Sequence, residues 1–288
     1  MTARLPVIGS TAASTAFIFA ELAGSDGRKL YFDGNGKITA GNGTLHEPKP
    51  NAFSLVEGGD CPYRTPTCEA ACYVHGLKSA QPDLHALYQH NSTTIRELLD
   101  LGYARSGAWA FKVAEWITEH APGGFRWHVS GDIFSMEYAE WIAKVVRRSP
   151  TVRHWIYTRS FPYLEALVDV ATEHGGNLAI NLSCDRDNLW LARRAQETHG
   201  VGRLCYLATG ANDTLPTAVG DAIASLPALS DDSVIFPDYS LRPRQFATLA
   251  ESPFWQALTP QQRGLVCPVD AHNKAENRRC GPCDRCLK

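Results

Sequence analysis

The chain shows no excess of charge of either sign, no long apolar run and no repeat, and each shortage removes a class of function. Its 288 residues carry 28 Lys and Arg against 30 Asp and Glu, a formal net charge of -2 with a pI near 6.5. That balance excludes a surface coated in positive charge for unspecific nucleic-acid binding. Arginine pairs such as Arg147-Arg148 and Arg193-Arg194 still allow a local basic groove. The apolar material within residues 7–24 is short, partly polar and interrupted by Glu21, so it fits neither a bilayer span nor a secretory leader. No heptad pattern, repeat or low-complexity tract organises the remainder.

Cysteine is what the chain does have. Nine cysteines, an odd number in tight spacings, fit metal ligation in a reducing compartment better than a disulfide framework. The expected compartment is therefore the cytoplasm. Cys61, Cys68 and Cys72, followed by Tyr73, form one group with the pattern C-x6-C-x3-C. Cys267, Cys280, Cys283 and Cys286 form a second, C-x12-C-x2-C-x2-C. Four thiolates close a zinc or iron–sulfur site, whereas three leave a coordination position for a substrate or cofactor. Cys184 and Cys205 read as small buried residues.

The chain divides into a Gly-rich, irregular lead-in over residues 1–60, an α/β core over 61–260 and a cysteine-rich, metal-binding tail over 261–288 packed on that core. The lead-in, with GSDG, DGNGK and AGNG between short apolar pieces, predicts hairpins or loops. From Phe125 a strand, polar turn and helix recur: strands are expected at 125–129, 153–158, 177–183, 203–208, 233–236 and 264–267. Such alternation predicts a parallel sheet, as a complete or partial (β/α) barrel or an open doubly wound sheet. In either architecture the strand C-termini carry the site. Ser130, Gly131, Asp132, Thr158, Ser183, Asp185 and Asp238 all fall there. Trp127, Trp155 and Trp190 read as core packing.

The order of these landmarks resembles that of the radical S-adenosylmethionine enzymes. There, a three-cysteine loop after the first barrel strand binds a four-iron cluster, and later strand ends hold S-adenosylmethionine. The resemblance implies the cluster on Cys61, Cys68 and Cys72 with Tyr73 beside it, and cofactor contacts from Ser130-Gly131-Asp132, Thr158 and Ser183-Cys184-Asp185. It also implies an auxiliary cluster on the C-terminal cysteines and a need for a reductant. The spacing differs from the usual C-x3-C-x2-C, and Asp132 stands where that family has glutamate. A closer resemblance, over most of residues 50 to 288, is to the phage gene product 88 family and the related Gp37/Gp68-type phage proteins. It rests on Cys72-Tyr73, on Phe125 to Asp132, on Tyr157-Thr158 and on the C-terminal cysteines, and it implies a phage-type protein of the host cytoplasm.

The leading expectation is thus an iron–sulfur enzyme that modifies a nucleobase or nucleotide, with a nucleic acid or nucleotide as substrate and no membrane partner. A second expectation is a base-exchange enzyme similar to the DNA- and tRNA-guanine transglycosylases, holding zinc alone. In it Asp132, Asp185 and Asp238 would supply the nucleophile and the proton-transfer groups. A third is a non-catalytic zinc-binding module for nucleic acid or protein.

Overall fold

A computed structural model describes residues 19–34, 50–72, 74–173, 176–209, 216–224, 226, 229–237, 249–267 and 286. Strands β1 (Ala20–Ala23) and β2 (Lys29–Phe32) form an antiparallel hairpin. The main sheet follows, built from β3 (Ala52–Phe53), β4 (Phe125–Trp127), β5 (His154–Thr158), β6 (Leu178–Cys184), β7 (Arg203–Ala208) and β8 (Val234–Pro237). All six pair in parallel, and their order across the sheet is their order along the chain.

That order decides between the expected architectures. A doubly wound sheet reverses its strand order at a switch point, whereas this sheet never reverses. Right-handed crossovers between successive neighbours place all the helices on one face. Helices α1 (Pro66–Ala70), α2 (Leu77–Ala80) and α3 (Pro82–Asp100) follow β3, and α4 (Tyr103–His120) completes that crossover. Next come α5 (Met136–Arg148), a 3-10 helix at Phe161–Leu167 with α6 (Val168–Thr172), and α7 (Leu189–His199). From α3 through α4, α5 and the 3-10 helix to α7, each of these elements packs on the next. The result is a partial (β/α) barrel: among the described residues no pairing joins β8 back to β3.

The strands form where side chains alternate. Phe125, Trp127, Ile156, Ile180, Leu182, Leu204, Tyr206 and Ile235 point to the helices and are buried there. The intervening Arg126, Tyr157, Asn181, Ser183, Arg203, Cys205 and Phe236 occupy the concave face by the same two-residue period. Helix α5 begins at Ser135, whose Oγ accepts the Tyr138 N–H at 3.2 Å. Its stripe of Tyr138, Trp141, Ile142, Val145 and Val146 is fully covered, at about 1.5–3 kcal/mol for each large apolar side chain.

Three expectations need correction. The lead-in contributes to the core: Leu30 and Phe32 are buried, Phe32 stacks on Trp116 at 3.9 Å, and the sheet begins at Ala52, ahead of the boundary placed at 61. Trp127 and Trp155 are buried as expected, but Trp190 lies on the outer side of α7 with 62% of its surface exposed. In the stretch 264–267, Gly264 and Leu265 are the end of α10 (Pro260–Leu265), which follows α8 (Pro216–Ala224) and α9 (Pro253–Ala257). Val266 bridges to Ile235 there, and the Cys267 N–H bonds the Ile235 carbonyl. No described helix is long and apolar enough to cross a membrane.

Candidate functional site

The three-cysteine loop leaves the C-terminal end of β3 and is shaped by ordinary local chemistry. A turn closes from Cys61 to Arg64, and the Arg64 guanidinium donates to the Gly58 carbonyl at 2.8 Å. Thr65 then caps α1, its Oγ1 accepting the Cys68 N–H at 2.9 Å, and Pro66 at the first helical position needs no partner for the N–H it lacks. Cys68 lies within α1 and Cys72 just past its C-cap, Ala71. The cap and the preceding turn absorb the extra residues of the C-x6-C spacing.

Neighbouring strand ends clamp this loop. The Thr65 hydroxyl donates to Asp185 at 2.6 Å, and the Arg159 guanidinium reaches the same carboxylate oxygen at 2.6 Å. Asp187 accepts the Thr67 N–H at 3.0 Å. Asp132 accepts from the Thr158 hydroxyl at 2.6 Å, from the Arg159 N–H at 2.8 Å and from the Ile133 N–H at 2.7 Å. Its own N–H donates to the Asp60 carbonyl, and Asp60 pairs with Arg96. Gly131 adopts φ +80°, and a Cβ there would lie 2.6 Å from Leu55 Cβ, so the turn after β4 admits no side chain at that position.

The structure therefore unites Cys61, Cys68, Cys72, Asp132, Thr158 and Asp185 at one end of the sheet, joined by Arg159. Ser130 is buried beside them at the turn. Ser183 sits on the concave face instead, in register with Cys205. Tyr73, Asp238, Cys280 and Cys283 lie outside the described residues. Both carboxylates are buried and engaged in hydrogen bonds, which suits them to holding the loop; a nucleophile or proton-transfer group would have to give those bonds up first.

The electrostatics of the pocket oppose bare thiolates. Burial, then the negative charge of Asp132, pushes the Cys61 thiol up to about 12, and Cys68 and Cys72 push in the same direction. Burial also raises Cys68 against the pull of Arg159, and raises Cys72 with help from Glu57. Yet two of the three sulfurs are provided with donors: the Gly58 N–H lies against Cys61, and the Val74 and His75 N–H groups against Cys72. Such N–H to sulfur contacts surround the thiolates of metal and cluster sites. Glu57 Oε2, Asp60 Oδ2 and Ser130 Oγ are buried without a hydrogen-bond partner among the described residues. Three thiols thus lie within electrostatic reach of one another, two of them with backbone N–H donors on their sulfurs. Among the described residues no three His, Cys, Asp or Glu side chains are gathered so as to hold a single ion. A multi-iron cluster spreads its thiolates wider than one ion does.

A second polar group occupies the concave face. Asn181 donates to the Cys286 carbonyl at 3.0 Å and accepts from the Cys205 thiol at 3.5 Å. Cys205, Cys267 and Cys286 share one cluster there with Tyr157. Hydrogen bonds from Cys205 and Tyr157, with Arg203 and Arg126 near, bring the Cys286 thiol down to about 7. Asn181 lies four residues before Asp185 on β6, roughly 13 Å along the strand, so this group and the three-cysteine loop sit at different levels of the sheet.

The profile of the gene product 88 family matches residues 28–288. The chain belongs to that family. Gene 88 protein of Mycobacterium phage L5 is 31% identical over 155 residues, which cover 53% of this chain and 64% of that protein. Gene 88 protein of Mycobacterium phage D29 is 30% identical over 155 residues, covering 53% of this chain and 63% of that protein. The chain thus spans somewhat under two thirds of the length of these relatives. No solved structure matches the chain. Within this gene product 88 member, Arg159 and Thr65 are the site residues that sequence reasoning passed over. Thr65 was visible as a Thr-Pro helix start, whereas a lone arginine after a strand carried no sign of its partner Asp185.

Proposed function

We propose that this gene product 88 protein is a metalloenzyme in which Cys61, Cys68 and Cys72 hold an iron–sulfur cluster at the open end of the partial barrel. The observation that carries the reading is the charge of the pocket. One buried guanidinium, that of Arg159, is already paired with the buried Asp185, its backbone N–H is taken by Asp132, whose own pKa burial raises, and three thiols are set beside them. Ionising those thiols alone would add like charges in a water-poor site, which is costly. A polycationic cluster resolves the conflict, and the N–H groups of Gly58, Val74 and His75 are placed to support its thiolates.

Cys61, Cys68 and Cys72 would hold the cluster, which would supply electron transfer to a bound small molecule, with S-adenosylmethionine as the candidate. The protein's own residues hold and position. Thr65, Asp185 and Arg159 fix the loop against β5 and β6, and Asp132 ties the turn after β4 to the start of the turn after β5. The unpartnered Ser130 Oγ, Asp60 Oδ2 and Glu57 Oε2 offer hydrogen-bonding atoms to a bound ligand. The phage relatives make a nucleobase or nucleotide the first substrate to assay.

The test is purification without oxygen, followed by iron and sulfide analysis and a visible spectrum. The expected result is about four irons and four sulfides per cluster and a brown colour that bleaches on reduction, lost in Cys61→Ser, Cys68→Ser and Cys72→Ser. Colourless protein with zinc alone overturns the proposal.

A further inference from the structure

Cys205 looks like an ordinary buried residue of β7, and its surroundings say otherwise. Cys184, one strand away, faces the helices within the main apolar core. Cys205 faces the concave side, where its S–H has two acceptors in reach, the Asn181 amide oxygen at 3.5 Å and the Cys286 sulfur. The Cys286 sulfur also accepts from the Tyr157 hydroxyl, and the Cys286 backbone carbonyl is held by the Asn181 amide at 3.0 Å. One asparagine thus touches both cysteines and fixes residue 286 against the middle of the sheet. The two sulfurs differ in access: Cys205 is 3% exposed, whereas Cys286 is only partly covered.

We propose that Cys205 and Cys286 are a redox-active dithiol, closed to a disulfide by small disulfides of the glutathione class and reopened by thiols. Two sulfurs already in hydrogen-bond contact on an anchored backbone need only a short approach to bond, and no third ligand takes part. Cys286, the accessible sulfur, attacks the small disulfide as its thiolate; the S–S bond breaks, one small thiolate leaves, and a mixed disulfide remains on Cys286. The Cys205 thiol gives its proton to a departing thiolate and attacks the Cys286 sulfur, releasing the second small thiol. The protein loses two electrons and two protons, and the small disulfide becomes two thiols. The new bond ties residue 286 covalently to β7, so that its hold on the concave face depends on redox state. The inference stands apart from the cluster proposed on the three-cysteine loop.

The test uses the full-length, unsubstituted chain purified without oxygen and exposed to oxidised glutathione. Remaining thiols are blocked with N-ethylmaleimide, and disulfides are located by peptide mass spectrometry. The bond between Cys205 and Cys286 is expected as the principal disulfide within the chain, and dithiothreitol is expected to return both thiols. Cross-linking of other cysteines in its place overturns the inference, as does a Cys286 that keeps glutathione while Cys205 stays free. A pair that remains reduced throughout, as it would if a metal held Cys286, overturns it equally. The iron and sulfide content of the untreated protein judges the three-cysteine loop separately.

Substitutions then separate the two roles. In Cys205→Ser the mixed disulfide has no second thiol to resolve it, so Cys286 is expected to accumulate one glutathionyl group that the unsubstituted chain does not keep. In Cys286→Ser the buried Cys205 is expected to stay unmodified, and Cys184→Ser is expected to form the same disulfide as the unsubstituted chain. A Cys205→Ser protein that sheds glutathione as the unsubstituted chain does, or a Cys286→Ser protein whose Cys205 is readily glutathionylated, overturns the assignment.

Discussion

At the scale of single residues, Arg159 and the two buried histidines have the clearest consequences. Arg159→Met leaves Asp185 buried with its charge uncompensated, which should cost about 3–5 kcal/mol in urea unfolding. Asp185→Asn added to Arg159→Met should restore part of that loss, and additive effects would refute the coupling. His128 and His154 are held neutral chiefly by burial, each with its pKa lowered from 6.5 to about 3. The unfolded chain therefore takes up protons that the fold refuses. Their contribution is complete above about pH 6.5 and falls as the pH drops toward 3, by up to about 1.4 kcal/mol per pH unit for each histidine. His154→Gln should flatten the acid limb of stability against pH, with the midpoint of urea unfolding as the readout. Neither histidine was singled out in the sequence, because a histidine between strand residues looks the same buried or exposed.

At the scale of elements, what was legible followed periodicity, and what was missed depended on backbone conformation or distant partners. The strand over Arg203–Ala208 and the stripe of α5 emerged where residues alternate or recur at helical spacing. The strand from Phe125 stops at Trp127 because His128 turns to φ 62°, which nothing in the letters announces. The clustering at strand ends was legible for Asp132, Thr158 and Asp185 through the topology of parallel sheets. That their oxygens are spent on Thr65, Arg159 and backbone N–H groups was not. Two caps give a comparison. Ser135→Ala should cost about 1 kcal/mol as a simple N-cap loss, whereas Thr65→Ala should cost more, since Asp185 also loses a buried donor. Equal losses in thermal or urea denaturation would show that the bond to Asp185 contributes nothing. Gly131→Ala should destabilise strongly, by a few kcal/mol, because it combines positive φ with a 2.6 Å approach to Leu55.

At the scale of the molecule, the hairpin ahead of the barrel behaves as part of the core. Leu30→Ala should cost about 2–5 kcal/mol and leave a single unfolding transition. A loss below 1 kcal/mol would mean that the hairpin is an appendage.

The hairpin also settles what happens where the sheet ends. The first strand is only two residues long, and Asp33 bridges antiparallel to Ala52 on its outer side, with the Asp33 carboxylate accepting from Ser54 at 3.1 Å and Tyr88 at 2.8 Å. On the far side Val266 and the Cys267 N–H engage Ile235 of the last strand. An open sheet normally presents hydrogen-bonding groups that recruit a strand from another copy and seed aggregation. Here each border is occupied by a piece of the same chain, so the open sheet exposes no template for self-association at those two positions.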